Sequence, residues 1–124
     1  MTRIGRLKRR AEFLAAAAAN RKWVAPGLVL QARQNETDTC TDELRLGFTA
    51  SRKVGNAVKR NRARRRLRAV AEQVLPAHAE AGHDFVLIAR PATVDRAFPS
   101  LIGDLVAGLK RLKLYHDAAA GAAA

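Results

Sequence analysis

The stretch from Arg52 to Arg68, RKVGNAVKRNRARRRLR, constrains the fold of this chain more than any other. Nine of its seventeen residues are Lys or Arg, and no acidic residue occurs between positions 44 and 71. Asn56 can cap a helix, and neither Gly nor Pro interrupts residues 57–75. We therefore predict a helix from residue 57 to about residue 74, and the rest of the chain must fold around it.

The predicted helix has one apolar side and one basic side. At 100° per residue, the apolar positions form a narrow stripe that consists of Ala63, Leu67, Val70 and Val74. The opposite side holds Asn61, Arg65 and Arg68, flanked by Arg62 and Arg64. Like charges one turn apart destabilise a helix by roughly a few tenths of a kcal/mol per pair, so we expect a polyanion to bind this side. Because guanidinium groups bind phosphate oxygens through two N–H groups and stack on bases, nucleic acid is favoured over a membrane surface.

Composition supports a single nucleic-acid-binding domain. A chain of 124 residues can bury a core without disulfides, and a net charge of +12 attracts nucleic acid. The single Cys40 cannot form an internal disulfide, which fits a reducing compartment. No apolar run reaches the length of a membrane span or a secretory signal. We expect a cytoplasmic protein with no membrane partner, in which residues 1–116 form one RNA-binding domain and residues 117–124 a disordered Ala-rich tail.

Residue spacing predicts two further helices. The segment from Arg3 to about Asn20 has a helical pattern whose expected buried stripe consists of Leu7, Ala11, Leu14 and Ala18. A closing helix is predicted from Phe98 to about Tyr115, with cationic residues that suit its C-terminal end. A turn or short helical start is expected just after Pro91.

Alternating and continuous apolar runs predict the strands of one sheet. Residues 28–33 and 44–50 alternate, and their expected core-facing residues are Leu28, Leu30, Ala32, Leu44, Leu46 and Phe48. Residues 84–90 form a short apolar run typical of a central strand, and one more strand can lie between residues 21 and 33. The predicted fold class is α/β (α+β), a two-layer sandwich in which helices pack on a mixed sheet of about four strands.

The basic stretch also carries a family resemblance. Lys53-Val54-Gly55-Asn56-Ala57-Val58, followed by Arg60-Asn61-Arg62 and Arg64-Arg65, resembles the Arg-Asn-Arg signature of the bacterial ribonuclease P protein subunit. The resemblance extends to residues 6–13, 46–49 and 84–90, and so to nearly the whole chain. It implies a fold like the second domain of ribosomal protein S5, with a left-handed βαβ crossover through the signature helix.

The resemblance implies a role in tRNA maturation. Members of this family bind the catalytic RNA of ribonuclease P and the 5′ leader of precursor tRNA, and removal of the leader gives the mature tRNA 5′ end. The RNA subunit performs the chemistry with Mg²⁺, which is bound mainly by that RNA and the substrate. The implied partners are therefore the catalytic RNA and precursor tRNA, with no DNA.

Two sets of candidate contacts follow from the resemblance. The residues expected to bind the RNA subunit are Arg52, Lys53, Asn56, Lys59, Arg60, Asn61, Arg62, Arg64, Arg65 and Arg68. The residues expected to bind the leader are Arg6, Arg10, Phe13, Gln31 and Arg33.

Phe13 is the first expected leader contact. It follows Arg6 and Arg10 at i+7 and i+3, in line with two guanidinium groups, and stacking of a base on an aromatic ring contributes roughly 1–3 kcal/mol. The pattern by itself fits equally well a Phe13 that only widens the core. Family members often carry aromatic residues at the positions of Ala17 and Gln31, so this chain lacks two stacking positions. Gln31 can instead hydrogen-bond a base, and Trp23 is a candidate substitute.

No catalytic or metal-binding motif appears in the sequence. The residues that could ligate a metal or act in catalysis fall at spacings of no known site: Cys40, His78, His83, His116, Asp84, Asp95 and Asp104. We therefore expect a binding subunit without catalytic residues of its own. The alternative is a basic RNA-binding protein of ribosomal type without a leader site. A helix-turn-helix DNA binder is disfavoured because no short second helix follows the basic one.

Overall fold

The computed structural model describes residues 3–7, 10–11, 13–14, 21–34, 43–79 and 83–115. Its centre is a mixed five-stranded sheet in the order β1-β4-β5-β3-β2. The strands are β1 (Arg3–Arg6), β2 (Lys22–Val24), β3 (Leu28–Gln34), β4 (Glu43–Thr49) and β5 (His83–Ala89). β4 runs parallel to β1 and β5, whereas β3 runs antiparallel to β2 and β5. The prediction of a mixed sheet is confirmed, and β2 is the additional strand expected between residues 21 and 33, whereas β1 at the other edge was not predicted.

The basic helix forms as predicted. Helix α1 (Ala57–His78) begins after Asn56, whose side-chain Oδ1 accepts a hydrogen bond from the Lys59 backbone N–H at 3.0 Å. This bond satisfies one of the N–H groups that the first turn leaves without a partner inside the helix. The predicted stripe of Ala63, Leu67 and Val70, with Val74, is buried. The helix continues through Pro76 and ends two residues later.

The main core lies between the sheet and its helices. Helix α2 (Phe98–Arg111) packs beside α1, and together they cover the side of the sheet that we call the helix face. Its core residues come from alternate positions of three strands: Leu28, Leu30, Ala32, Leu44, Leu46, Phe85, Leu87 and Ala89. Those of β3 and β4 confirm the predicted alternation, whereas the apolar run of β5 did not predict which of its residues face this core. Phe48 is half-buried at the margin of this core. β4 and β5 are parallel neighbours joined through α1, so the expected βαβ connection is present.

The prediction for the N-terminal segment is wrong at its start. Arg3–Arg6 is a strand that pairs with β4, and the first helical residue in the described ranges is Arg10. Pairing with β1 satisfies backbone groups on an edge of β4 that would otherwise be exposed, a gain that the local pattern does not reveal. The change from strand to helix also breaks the expected stripe, because Leu7 is buried whereas Leu14 is 57% exposed. Residues 15–20, including Ala17, lie outside the described part of the chain, as do Cys40 and the predicted tail.

Two of the connections contain short helical turns. One 3₁₀ helix, Arg52–Val54, leads into α1, and a second, Pro91–Val94, follows β5 as expected from Pro91. α2 ends before the predicted residue 115, because Lys113 adopts a left-handed conformation with φ of 62°. Neither α1 nor any other helix in the described ranges has the length and apolar character needed to cross a membrane.

Candidate nucleic-acid interface

The solvent side of α1 and the turn before it carry a cationic surface, which we call the docking face. Its exposed members are Arg52, Lys53, Asn56, Lys59, Asn61, Arg62, Arg65 and Arg68. Arg60 and Arg64, also predicted there, are half-buried, and Arg60 Nε has no hydrogen-bond partner in the described part of the chain. The structure therefore brings the predicted residues together on one side of the molecule, where Arg60 and Arg64 are less exposed than the others.

The middle of the docking face is a groove with an apolar side chain among cations. Asn61, Arg64, Arg65 and Arg68 line the groove together with Val58, which is 75% exposed. The Arg64 Nη1–H donates to Asn61 Oδ1 at 2.9 Å, which orients that guanidinium. The arginines of this groove can bind phosphate groups, and the Val58 side chain gives an apolar surface beside them. This combination suits RNA rather than a small anion.

The sequence pattern does not reveal the role of Arg66. Its Nη1–H groups donate to the carbonyl oxygens of Thr93 at 2.7 Å and Val94 at 2.8 Å, and its Nη2–H donates to Arg96 O. Arg62 contributes to the same anchor, because its Nε–H donates to Val94 O at 3.1 Å. Arg66 therefore connects α1 to the turn after β5. Arg62 makes one hydrogen bond to the same turn and is also exposed on the docking face. The one available signal is that these two residues lie one helical turn apart on the flank of the buried stripe.

On the opposite side of the sheet, which we call the outer face, the strand register aligns the residues in rows. Three rows run across β3, β5 and β4: Arg33–Asp84–Arg45, Gln31–Val86–Gly47 and Val29–Ile88–Thr49. Rows lie about 6.7 Å apart, since each is two residues from the next along a strand. β2 extends the second and third rows with Lys22 and Val24, which are both exposed. The outer face therefore passes from a charged end to an apolar end.

Asp84 holds the charged row together. Its carboxylate is fully buried and accepts hydrogen bonds from Arg45, from Nε to Oδ1 and from Nη2 to Oδ2, each at 2.8 Å. Arg33 Nε lies 4.0 Å from Asp84 Oδ2 on the other side. Two arginine side chains that are 22% and 27% exposed therefore flank one buried carboxylate, which leaves a net positive charge at this end of the sheet.

Phe13 lies on the outer face, next to Gly47. A Cβ at Gly47 would come within 2.7 Å of Phe13 Cζ and 3.1 Å of Leu7 Cδ1, so the ring occupies the space that a larger residue would fill. Phe13 and Ile88 are half-buried against Leu7 and Val86, which form a small second core. The two interpretations of Phe13 are therefore compatible, because its ring packs on the sheet and keeps part of its surface in solvent.

The other predicted leader residues differ in position. Gln31 and Arg33 are half-buried on the outer face, and Arg10 is exposed in the helical segment that carries Phe13. Arg6 lies in β1, where the backbone alone is described. Trp23 is on the helix face instead, opposite Leu30 and beneath the Arg111 guanidinium at 5.0 Å, so it cannot replace a stacking residue of the outer face.

Comparison with known proteins identifies the family. The family model for Ribonuclease P matches residues 1–113. The chain belongs to this family. It is 58% identical over 111 residues to the Ribonuclease P protein component of Paramagnetospirillum magneticum, covering 89% of this chain and 84% of that relative. The corresponding protein of Gluconacetobacter diazotrophicus is 49% identical, covering 88% of this chain and 91% of that relative.

Solved structures of the family have the same fold. The RNase P protein of Staphylococcus aureus matches with a TM-score of 0.73 at 28% identity, covering 90% of this chain and 97% of that chain. The RNase P protein of Thermotoga maritima matches with a TM-score of 0.70 at 27% identity, covering 86% of this chain and 96% of that chain. Because both matches cover nearly the whole domain, the sheet and helices described above form the family fold.

Proposed function

We propose that this chain is the protein component of a ribonuclease P in which the docking face binds the RNA subunit and the outer face binds the 5′ leader of precursor tRNA. The observation that carries the proposal is that the two surfaces lie on opposite sides of the molecule. The docking residues of α1 point away from the helix face, whereas Phe13, Gln31 and Arg33 lie on the outer face. One domain can therefore contact the catalytic RNA and a single-stranded segment of its substrate at the same time.

The outer face has the features of a single-strand site. Gln31 lies two strands from Gly47 in the same row, about 10 Å away, so a base stacked against Phe13 lies over Val86 with Gln31 beside it. Arg33 is in the adjacent row, about 6.7 Å away, within reach of the phosphate of the same nucleotide. Stacking and phosphate contacts of this kind tolerate many sequences, as a protein that acts on many different leaders requires.

In this proposal the RNA subunit carries out phosphodiester hydrolysis, and Mg²⁺ is bound by that RNA and the substrate. Within the described residues, no group of three or more His, Cys, Asp or Glu side chains is placed to hold a metal ion. The protein contributes by neutralising phosphates on two surfaces, which favours binding of both substrate and Mg²⁺ at moderate ionic strength. A purely ribosomal role is disfavoured by family membership and by the separate outer face.

Two substitutions test the leader site, one that removes the Phe13 ring and one that displaces it. In Phe13→Leu the apolar contact with Leu7 and Val86 is kept but the stacking surface is lost, so the holoenzyme should bind leader-bearing precursor about tenfold more weakly. Gly47→Ala should give a similar loss, because its Cβ displaces the same ring without touching RNA. Affinities for precursor and for mature tRNA are measured side by side.

Mature tRNA serves as the internal control, since it has no leader. Its affinity should stay within twofold of the wild-type value for both variants. Equal losses for precursor and mature tRNA would show that Phe13 acts only as a core residue, and the leader assignment would then fail.

A further inference from the structure

A second groove flanks the docking face where α1 meets the start of α2. It is lined by Arg62, Arg65, Arg66, Ala69 and Phe98, so three arginines and one aromatic residue share its wall. Phe98 is the first residue of α2 and is half-buried, packed against the core with part of its ring reaching this groove. The groove shares only Arg65 with the groove around Val58. Arg62 and Arg65 belong to the docking face, whereas Phe98 and Ala69 have no role in the contacts assigned above.

The walls of this groove are held in place. Arg66 donates to the carbonyl oxygens of Thr93, Val94 and Arg96, and the Nε of Arg62 is fixed by Val94 O. Arg65 is exposed, and it makes no hydrogen bond or ion pair with any other residue of the described ranges. The site therefore combines two arginines that are already held, and so lose little further side-chain freedom on binding, with Arg65, whose guanidinium has no partner in the described ranges.

The chemistry of the lining selects its ligand. Three cations without a lining acid favour an anion, whereas an aromatic ring at the same place favours a flat apolar surface. A nucleotide supplies both, with its phosphate for the guanidinium groups and its base for the ring. A base within a double helix has its faces covered by its neighbours, so only an unpaired nucleotide can present one to Phe98.

We propose that this groove binds one unpaired nucleotide of the RNA subunit, with its base on the Phe98 ring and its phosphate on Arg65 and Arg62. This inference rests on the proposed function and adds a base-stacking contact to a surface otherwise defined by charge. Such a contact recognises a flipped-out or bulged nucleotide, and it adds to the phosphate contacts, which position the protein, a preference for one place on a folded RNA.

The test measures binding of ribonuclease P RNA over a series of salt concentrations for wild type and three variants. Phe98→Leu keeps the apolar contact with the core but removes the aromatic face, and should weaken binding about tenfold with an unchanged salt slope, because no cation is lost. Phe98→Tyr keeps the ring and should bind like wild type. Ala69→Leu fills the groove without altering Phe98 and should reproduce the loss.

Chemical probing of the RNA supplies the second readout. Wild type should protect the base of one unpaired nucleotide, and that protection should disappear with Phe98→Leu and Ala69→Leu while backbone protections persist. Wild-type affinity for both of these variants, or the same protections in all complexes, would overturn the inference. A wild-type protein that fails to bind the RNA would instead sink the proposed function, so the two failures are distinguishable.

Discussion

Replacing Arg65 and Arg68 by Gln lowers the affinity for ribonuclease P RNA and flattens its dependence on salt. Both side chains are exposed on the docking face, and Arg68 lies over the half-buried Phe48 ring with 5.9 Å between its guanidinium carbon and the ring centroid. Each phosphate contact that is lost reduces the slope of log affinity against log salt concentration by about one unit, so the double variant should lose about two. At low salt the affinity should fall by roughly two orders of magnitude. Filter binding from low to moderate salt measures both quantities.

A charge-matched variant separates local contacts from overall charge. The double variant Lys110→Gln/Lys113→Gln also removes two positive charges, but from exposed positions in the last turn of α2 and just after it, away from the docking face. This control should keep most of the affinity and nearly all of the salt slope. If both double variants lose affinity and slope equally, RNA binding depends on net charge alone, and the docking face is not a defined contact surface.

Removal of the Asp84 carboxylate should destabilise the fold more than any surface substitution. In Asp84→Ala, Arg45 loses two hydrogen bonds of 2.8 Å and Arg33 loses its ion-pair partner, while both guanidinium groups remain partly buried. Breaking a buried pair at one partner costs about 3–5 kcal/mol, and the partial exposure of both arginines places this variant near 3 kcal/mol. Thermal unfolding should occur about 10 °C lower.

Asp95→Ala is the matched control, because it removes an exposed carboxylate from the turn that precedes α2. Its unfolding free energy should stay within about 0.5 kcal/mol of the wild-type value. An Asp84→Ala protein that unfolds at the wild-type temperature would contradict the assigned role of the buried carboxylate. In that event the charged row would not be organised by Asp84.

The elements with a strong local pattern are predictable from the sequence. α1 follows from Asn56 as its cap, an uninterrupted helical stretch and one apolar stripe, and the structure buries the residues of that stripe. β3 and β4 follow from strict alternation, which also predicts which residues face the core. In these segments the tertiary contacts reinforce the local preference, so the periodicity of the apolar residues is sufficient.

The features that were missed depend on partners distant in sequence. β1 exists because β4 offers an edge about forty residues later, as the pairing of Arg3 with Glu43 shows. The ion pair of Asp84 joins residues 39 positions apart on neighbouring strands, and only the register of the sheet brings them into contact. Arg66 resembles its neighbours in the basic run, yet its donors are satisfied by a turn 27–30 residues away.

Cleavage of a precursor tRNA by a bacterial ribonuclease P RNA at low Mg²⁺, with and without this protein, tests the central claim most directly. The account predicts that the protein stimulates release of the 5′ leader by the RNA and that the protein alone cleaves nothing. Cleavage by the protein alone would contradict the assignment of catalysis to the RNA. Tight binding to the RNA without stimulation would contradict the role in leader removal.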